Sequence, residues 1–233
     1  HRGRAEVEVT IMGLASHAST PERARNPIDL LPGVVMGIEE VKENQKIDPL
    51  LGPSTVVATD LEVLPESRNV IPDRMTVVLD WRVLPQMDQE QMVRQVRDAI
   101  IRQVGSDLDD FEIKVATAAE IQCSYTGVKR ERDSFTPGFL MDPSDPLVRA
   151  AASAVGKRGK EGPADIRPWA FATDGGWTKG VFGIPTLGFA AGKESFAHTN
   201  TERLHIEDAR WSFNRHPDLV LALQDQLFSS NIV

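Results

Sequence analysis

A chain of 233 residues, 41% apolar and 26% charged, is long enough to bury a sizeable core and to divide into two domains of about 100 to 130 residues each. No uninterrupted apolar run approaches the roughly 20 residues that a membrane span requires, and the net charge of −8 argues against a nucleic-acid partner, because phosphate binding needs a basic face. The single cysteine, Cys123, rules out an intrachain disulfide and fits a reducing, cytoplasmic setting.

The opening stretch "RAEVEVTIMG" alternates apolar Ala5, Val7, Val9 and Ile11 with polar residues, the period of a half-buried strand, and Gly13 ends it. After the small-residue loop "LASHASTPERA", Ile28, Leu31, Val34, Val35, Ile38 and Val41 recur at helical spacing. Asn26 stands as N-cap and Pro27 at the first helical position of this segment, with Pro32 near its first turn. Two strands follow, "STVVATDLEVL" and "RMTVVLDWRVL", joined through the turn-rich "PESRNVIPD". A helix "DQEQMVRQVRDAIIRQV" capped by Asp88 and a strand "FEIKVAT" complete the series. The order β-α-β-β-α-β is that of a ferredoxin-like, split βαβ domain, predicted over residues 1–118.

Residues 119–233 have α/β character. The mixed-sign stretch "VKRERD" reads as a solvated loop. The Pro/Gly-rich "TPGFLMDPSDP" leads into a helix over about residues 146 to 158, and "RPWAFATDGGWTKGVFGIPTLGFAAGKESFAHTNTE" reads as short apolar strands between glycine turns. A C-terminal helix is predicted from Ile206 with an interruption at Pro217. Two or three strands and two long helices are thin for a free-standing doubly wound domain, so this half reads as part of something larger.

Seven residues are candidates for chemistry, with plainer readings beside them. His198 follows the strand-like "GIPTLGF" run and suits a metal ligand or a base, yet a zinc site needs three or four protein ligands and a two-metal site about five. Glu202, four residues on, is either a further ligand or, with Thr199, a capping-type turn. His17, in the loop "GLASHAST", either meets a ligand or another chain, or caps a helix or faces solvent. Asn69 suits a left-handed turn position. Arg82 lies on the same strand face as Asp80, which allows either a structural ion pair or a two-pronged grip on a substrate carboxylate. Thr173 and Asp174, in "FATDGG", suit a loop facing an active site or a helix N-cap. No G-x-S-x-G elbow, phosphate-cradling glycine loop or dinucleotide fingerprint appears, and Cys123 has no adjacent histidine.

Taken in order, "RGRAEVEVTIMGLASHAST", "NPI", "SRNVIPDRMTVVLDWRVLP", "TDGGWTKGVFGIPTLGFAAGK" and "AHTNTERLHIED" resemble the M20 metallopeptidases and their amidohydrolase relatives, such as acetylornithine deacetylase, succinyl-diaminopimelate desuccinylase and carboxypeptidase G2. The stretches "HRGRAEVEV", "DPLLGPST" and "GKESFAHTNTE" look closest to a branch that contains a hydrolase linked to selenium metabolism. The resemblance implies a ferredoxin-like lid that dimerises, at 1–118, and the C-terminal half of a zinc-peptidase-like α/β catalytic domain, at 119–233. It further implies that His198 is the last ligand of a two-metal site, usually zinc with other divalent ions possible, whose remaining ligands are not in this chain. His17 matches a lid histidine that crosses the dimer to stabilise the oxyanion in the partner's site. Asn69 and Arg82 match substrate-holding positions, and Gly192 a loop around the substrate. "FAAG" stands where many relatives have G-P-G, and "TDGG" departs from the common S-D-G-R.

The implied activity is metal-assisted hydrolysis of amide or peptide bonds in N-acyl amino acids, dipeptides or carbamoyl compounds by a homodimer, the chain alone being inactive. The rival reading is a non-catalytic dimerising or small-molecule-binding module that keeps the same scaffold.

Overall fold

The computed structural model describes residues 1–230. The chain divides into two compact units, Arg2–Gly138 on one hand and His1 with the residues from Phe139 onward on the other.

In the first unit the elements are β1 (Arg4–Met12), β2 (Ser16–His17), α1 (Leu31–Glu43), β3 (Ile47–Asp48), β4 (Gly52–Pro53), β5 (Thr55–Leu64), β6 (Val70–Ile71), β7 (Arg74–Arg82), α2 (Gln89–Val104), β8 (Glu112–Thr117), β9 (Ala119–Cys123), β10 (Lys129–Asp133) and β11 (Phe135–Thr136). The main sheet runs β8, β1, β7, β5, every neighbour antiparallel, with β11 pairing the first residues of β1 beside β8. The apolar alternation in the sequence becomes one buried face. Ala5, Val7, Val9 and Ile11 of β1 and Met75, Val77, Leu79 and Trp81 of β7 share a core with Val34, Ile38 and Val41 of α1 and Met92, Val96 and Ile100 of α2. The valine, leucine, isoleucine and methionine side chains among them each contribute about 1.5–3 kcal/mol when fully buried.

The two helices touch closely because α1 presents glycine to α2. A Cβ built on Gly37 would stand 2.9 Å from the Cα of Ile100, inside van der Waals contact. Asp88 caps α2 by accepting from the Gln91 amide at 2.7 Å, as its position before the apolar period indicates. Asn26 likewise accepts from the Ile28 amide, but the turn it opens is a 3₁₀ segment, Pro27–Leu30, and the α-helix proper starts at Leu31. Pro32 has no N–H to return to the carbonyl of Ile28, which instead accepts from Leu31, so the first turn tightens.

The division between units falls after Gly138 instead of after residue 118. Ala118 donates to the Glu6 carbonyl, Ser134 donates to the Ala118 carbonyl, and β11 returns to β1. The intervening β9–β10 hairpin, the location of "VKRERD", is therefore part of the first unit, and it is a fully exposed two-stranded ribbon instead of a loop.

The second unit holds α3 (Pro146–Val155) and α4 (Ile206–Ser230). Ala151, Val155 and Leu219 are buried there with Leu187, Phe189, Trp211 and Leu223 against them. The short strands expected across residues 168–190 do not form among the described residues, since an extended segment becomes a strand only where a neighbour accepts its hydrogen bonds. The interruption expected at Pro217 is also absent, and α4 runs through it. The carbonyl of Phe213 loses its helical donor there, on a residue 77% exposed, where water can take its place.

Candidate functional site

His17 and Asn69, far apart in sequence, come together at one end of the first unit. Ser16 and His17 pair with Ile71 and Val70 as a two-stranded ribbon, and the amide of Ala18 donates to the Asn69 carbonyl at 3.0 Å. The ring of His17 is exposed and is turned by its own loop: the Ser19 amide donates to Nδ1 at 3.1 Å, and the Ser19 hydroxyl lies 2.7 Å from the same nitrogen. A backbone N–H can only donate, so Nδ1 is the acceptor and the neutral ring carries its proton on Nε2. That proton is a donor aimed away from the loop that holds the ring. Asn69 accepts through Oδ1 from the Ser67 hydroxyl at 2.8 Å, which leaves its amide NH₂ as the outward group. The β2–β6 pairing escaped sequence reading because two-residue strands carry no periodicity. The serine two residues after His17 is the signal that was there to be used.

Arg82 ends β7, and its partner is Asp80, as the strand-face spacing allows. Nε lies 2.9 Å from Oδ1 and Nη2 donates to Oδ2 at 3.4 Å. Asp80 also accepts from Arg4 Nε at 2.9 Å, and this hydrogen bond is the main reason Arg4 sits above the ordinary arginine pKa. β7 is nine residues long, and at about 3.3 Å per residue Arg82 lies roughly 26 Å from its other end. That other end, Arg74, pairs with Met12 just before the His17 loop. Within one protomer, therefore, Arg82 cannot meet the same small molecule as His17 and Asn69.

In the second unit His198 has φ of 59°, the left-handed region that only a few per cent of non-glycine residues occupy and that often marks a functional or strained position. Two contacts hold the turn. The backbone N–H of His198 donates to Glu202 Oε2 at 3.0 Å, and the ring meets Phe171 edge-on at 5.4 Å between centroids. Glu202 thus serves the backbone, close to the capping-type reading of "TNTE" except that the amide it accepts from is that of His198 and the turn it closes is not the first turn of a helix, α4 starting only at Ile206. Arg203 stacks its guanidinium 4.3 Å over Phe196 in the same turn. Gly192 is open, with nothing within 4 Å of where a Cβ would stand, so packing alone does not demand glycine there. Thr173 behaves as a cap: its Oγ1 accepts from the Gly175 amide at the start of a wide helical turn over Gly176–Val181, and it meets buried His1, whose Nε2 lies 2.8 Å from Oγ1. Gly175 is required, because a Cβ would collide with Phe139.

His198 offers one imidazole for a metal. Among the described residues no group of three or more His, Cys, Asp or Glu is placed to hold an ion. The residues present therefore do not make up a two-metal cage, and no chemical step is derived through one.

Residues 1–107 match the family model of the M20 peptidase dimerisation domain. The chain is 27% identical over 203 residues to Uncharacterized protein YgeY of Escherichia coli strain K12, which covers 87% of this chain and 48% of the relative. It is 28% identical over 159 residues to the succinyl-diaminopimelate desuccinylase of Sulfurovum sp., covering 67% and 36% respectively. In fold it is similar to aminopeptidase PepT from Bacillus cereus, with a TM-score of 0.62, 20% identity and coverage of 96% of this chain and 52% of that one. The chain spans about half the length of the first of these relatives. Residues 1–107 thus carry the M20 peptidase dimerisation domain, and beyond them the chain is similar in sequence and fold to the relatives just named.

Proposed function

We propose that this chain is the lid and part of the catalytic domain of a metal-dependent hydrolase that cleaves amide or peptide bonds in small N-acyl amino acids or dipeptides. The β8–β1–β7–β5 order with both helices on one face supports a ferredoxin-like lid, and the dimerisation-domain match supports a homodimer. The observation that carries the reading is the separation along β7. His17 and Asn69 stand at one end and Arg82 at the other, so one substrate meets all three only when two lids contribute, and a two-fold dimer supplies that.

In this reading His17 donates its Nε2 proton to the carbonyl oxygen under attack and stabilises the charge that develops there. Asn69 adds an amide donor beside it, Arg82 binds a substrate carboxylate, and Gly192 lies in the loop that borders the substrate. His198 is one ligand of a metal site, with zinc the proposed ion, that further protein groups outside this chain complete; the donor count above supports this. Motif stretches alone support the selenium-linked branch, and the lone cysteine alone supports a cytoplasmic location. No helix among the described residues is long and apolar enough to cross a membrane.

Hydrolysis of a panel of N-acyl amino acids and dipeptides by the enzyme that carries this chain, with and without a chelator, is the test. Chelator-sensitive turnover is expected. A protein that dimerises, binds these molecules and turns over none of them would instead be the non-catalytic module.

A further inference from the structure

Asp80 stands between two arginines on the sheet face that the helices leave open. It grips Arg82 side-on, Oδ1 to Nε at 2.9 Å and Oδ2 to Nη2 at 3.4 Å. Its Oδ2 accepts in addition from Nε of Arg4, whose far end reaches Glu6 Oε1 at 2.5 Å. Guanidinium carries five donors in a planar fork. Here two are spent on the Nε edge, and Nη1 of Arg82 makes no hydrogen bond among the described residues, on a side chain 42% exposed.

The backbone beneath is fixed as well. The Arg82 carbonyl accepts from the buried Ser54 hydroxyl at 2.9 Å, and the same hydroxyl accepts from Trp81 Nε1 at 2.9 Å. A plain stabilising role explains little of this arrangement, since exposed ion pairs are worth about 0–1 kcal/mol and the core lies under the opposite face. What the arrangement does achieve is orientation. One edge of the fork is clamped and the other faces outward. Arg4 bonds the same carboxylate and is itself bonded by Glu6, so the row holds two guanidiniums against two carboxylates, and what it fixes is the direction of that outer edge.

We propose that Asp80 and Arg4 are positioning residues that preorganise Arg82 as a receptor for a carboxylate on a small ligand. This rests on the reading of Arg82 as the residue that binds a substrate carboxylate, and adds to it the two side chains that aim its guanidinium. Neither partner touches the ligand; both act through the geometry and charge of Arg82.

The test is titration of protein labelled with ¹⁵N in its arginine side chains, using N-acetylglycine and, in parallel, N-acetylglycinamide, which lacks the carboxylate. The Arg82 Nε–H signal, identified by its loss in Arg82→Lys, is expected to shift saturably with the acid and not with the amide. Asp80→Asn should weaken acid binding about tenfold and Arg4→Gln by a smaller factor, as befits charge-assisted hydrogen bonds, while Asp80→Glu recovers part of the loss. Melting temperatures within a few degrees of the parent separate positioning from unfolding. Equal response to acid and amide, no response at all, or unchanged affinity in Asp80→Asn overturns the proposal. Hydrolysis is read separately: binding that follows this pattern without turnover would sink the hydrolase reading and leave the receptor standing.

Discussion

The backbone amide of Ser19 donates to Nδ1 of His17 at 3.1 Å, and this one contact decides which nitrogen of the ring faces outward as a donor. Removal of an oxyanion donor costs about 10²-fold or more in turnover. His17→Ala is accordingly expected to lower kcat by that factor in the assembled enzyme and to leave metal content unchanged. Mixing this variant with one disabled at His198 should restore part of the activity through hybrid dimers. Unchanged kcat would remove His17 from the reaction.

Dimerisation is expected through α1 and β5. Among the described residues β5 pairs only β7, and it presents Val57 and Leu61 to solvent, while the adjoining α1 exposes Val35 and Met36. An unpaired edge beside an apolar helix face is suited to a second copy across a two-fold axis. The double variant Met36→Glu, Leu61→Lys should be monomeric by light scattering at tens of micromolar, roughly the range where weak interfaces still associate, with the parent dimeric under the same conditions. A monomeric parent would refute the assignment.

Gly37→Ala probes the α1–α2 contact. Alanine improves helix propensity by up to about 1 kcal/mol, but its methyl would stand 2.9 Å from the Ile100 backbone, and overpacking of that kind costs about 1–3 kcal/mol. The clash wins, because backbone yields less readily than a side-chain tip. Urea denaturation should show a net loss of stability with an unchanged m-value.

The first unit was legible because its signals are local and agree with one another. Period-2 alternation gave β1 and β7, period-3.6 spacing gave α1 and α2, and Asp88 was found at the cap it occupies. The second unit was less so. "GIPTLGF" has strand composition, but whether it pairs depends on a neighbour that no local pattern supplies. At the site, Arg82 and Asp80 were paired from spacing, since residues two apart share a strand face. The His17–Asn69 juxtaposition depends on a ribbon of two-residue strands, and the left-handed backbone of His198 follows from a turn closed by Glu202, neither of which leaves a periodic trace.

Glu40 ties α1 to α2 through Gln103 Nε2 at 2.9 Å and Arg102 Nη2 at 2.6 Å. These hydrogen bonds, Gln103 first, hold its carboxyl below the ordinary glutamate range. A depressed folded-state pKa contributes stability that is present above the unfolded value of about 4.3 and is lost as pH falls through the folded value. NMR titration should find Glu40 protonating at lower pH than free glutamate, and Gln103→Ala should move it back up. A titration unaffected by Gln103→Ala would show that the helix-to-helix bonds are not what hold it down.

His198 pairs a strained backbone with the metal-ligand role proposed for it, and glycine separates the two. His198→Gly removes the imidazole but suits φ of 59°, where a non-glycine residue costs of order 1 kcal/mol. The variant is expected to keep or modestly raise the melting temperature, because relief at the backbone offsets the lost ring contact with Phe171 and the entropy of the added glycine. In the assembled enzyme it should lose metal affinity and turnover together. In the chain by itself, one imidazole with water binds zinc weakly against the three or four ligands of a stable site, so dialysis should leave less than one tightly bound zinc per chain, with or without the substitution. Two tightly held zinc ions in the unmodified chain would mean that donors unassigned to a cluster among the described residues come together in solution, and the ligand assignment would have to be rebuilt from them.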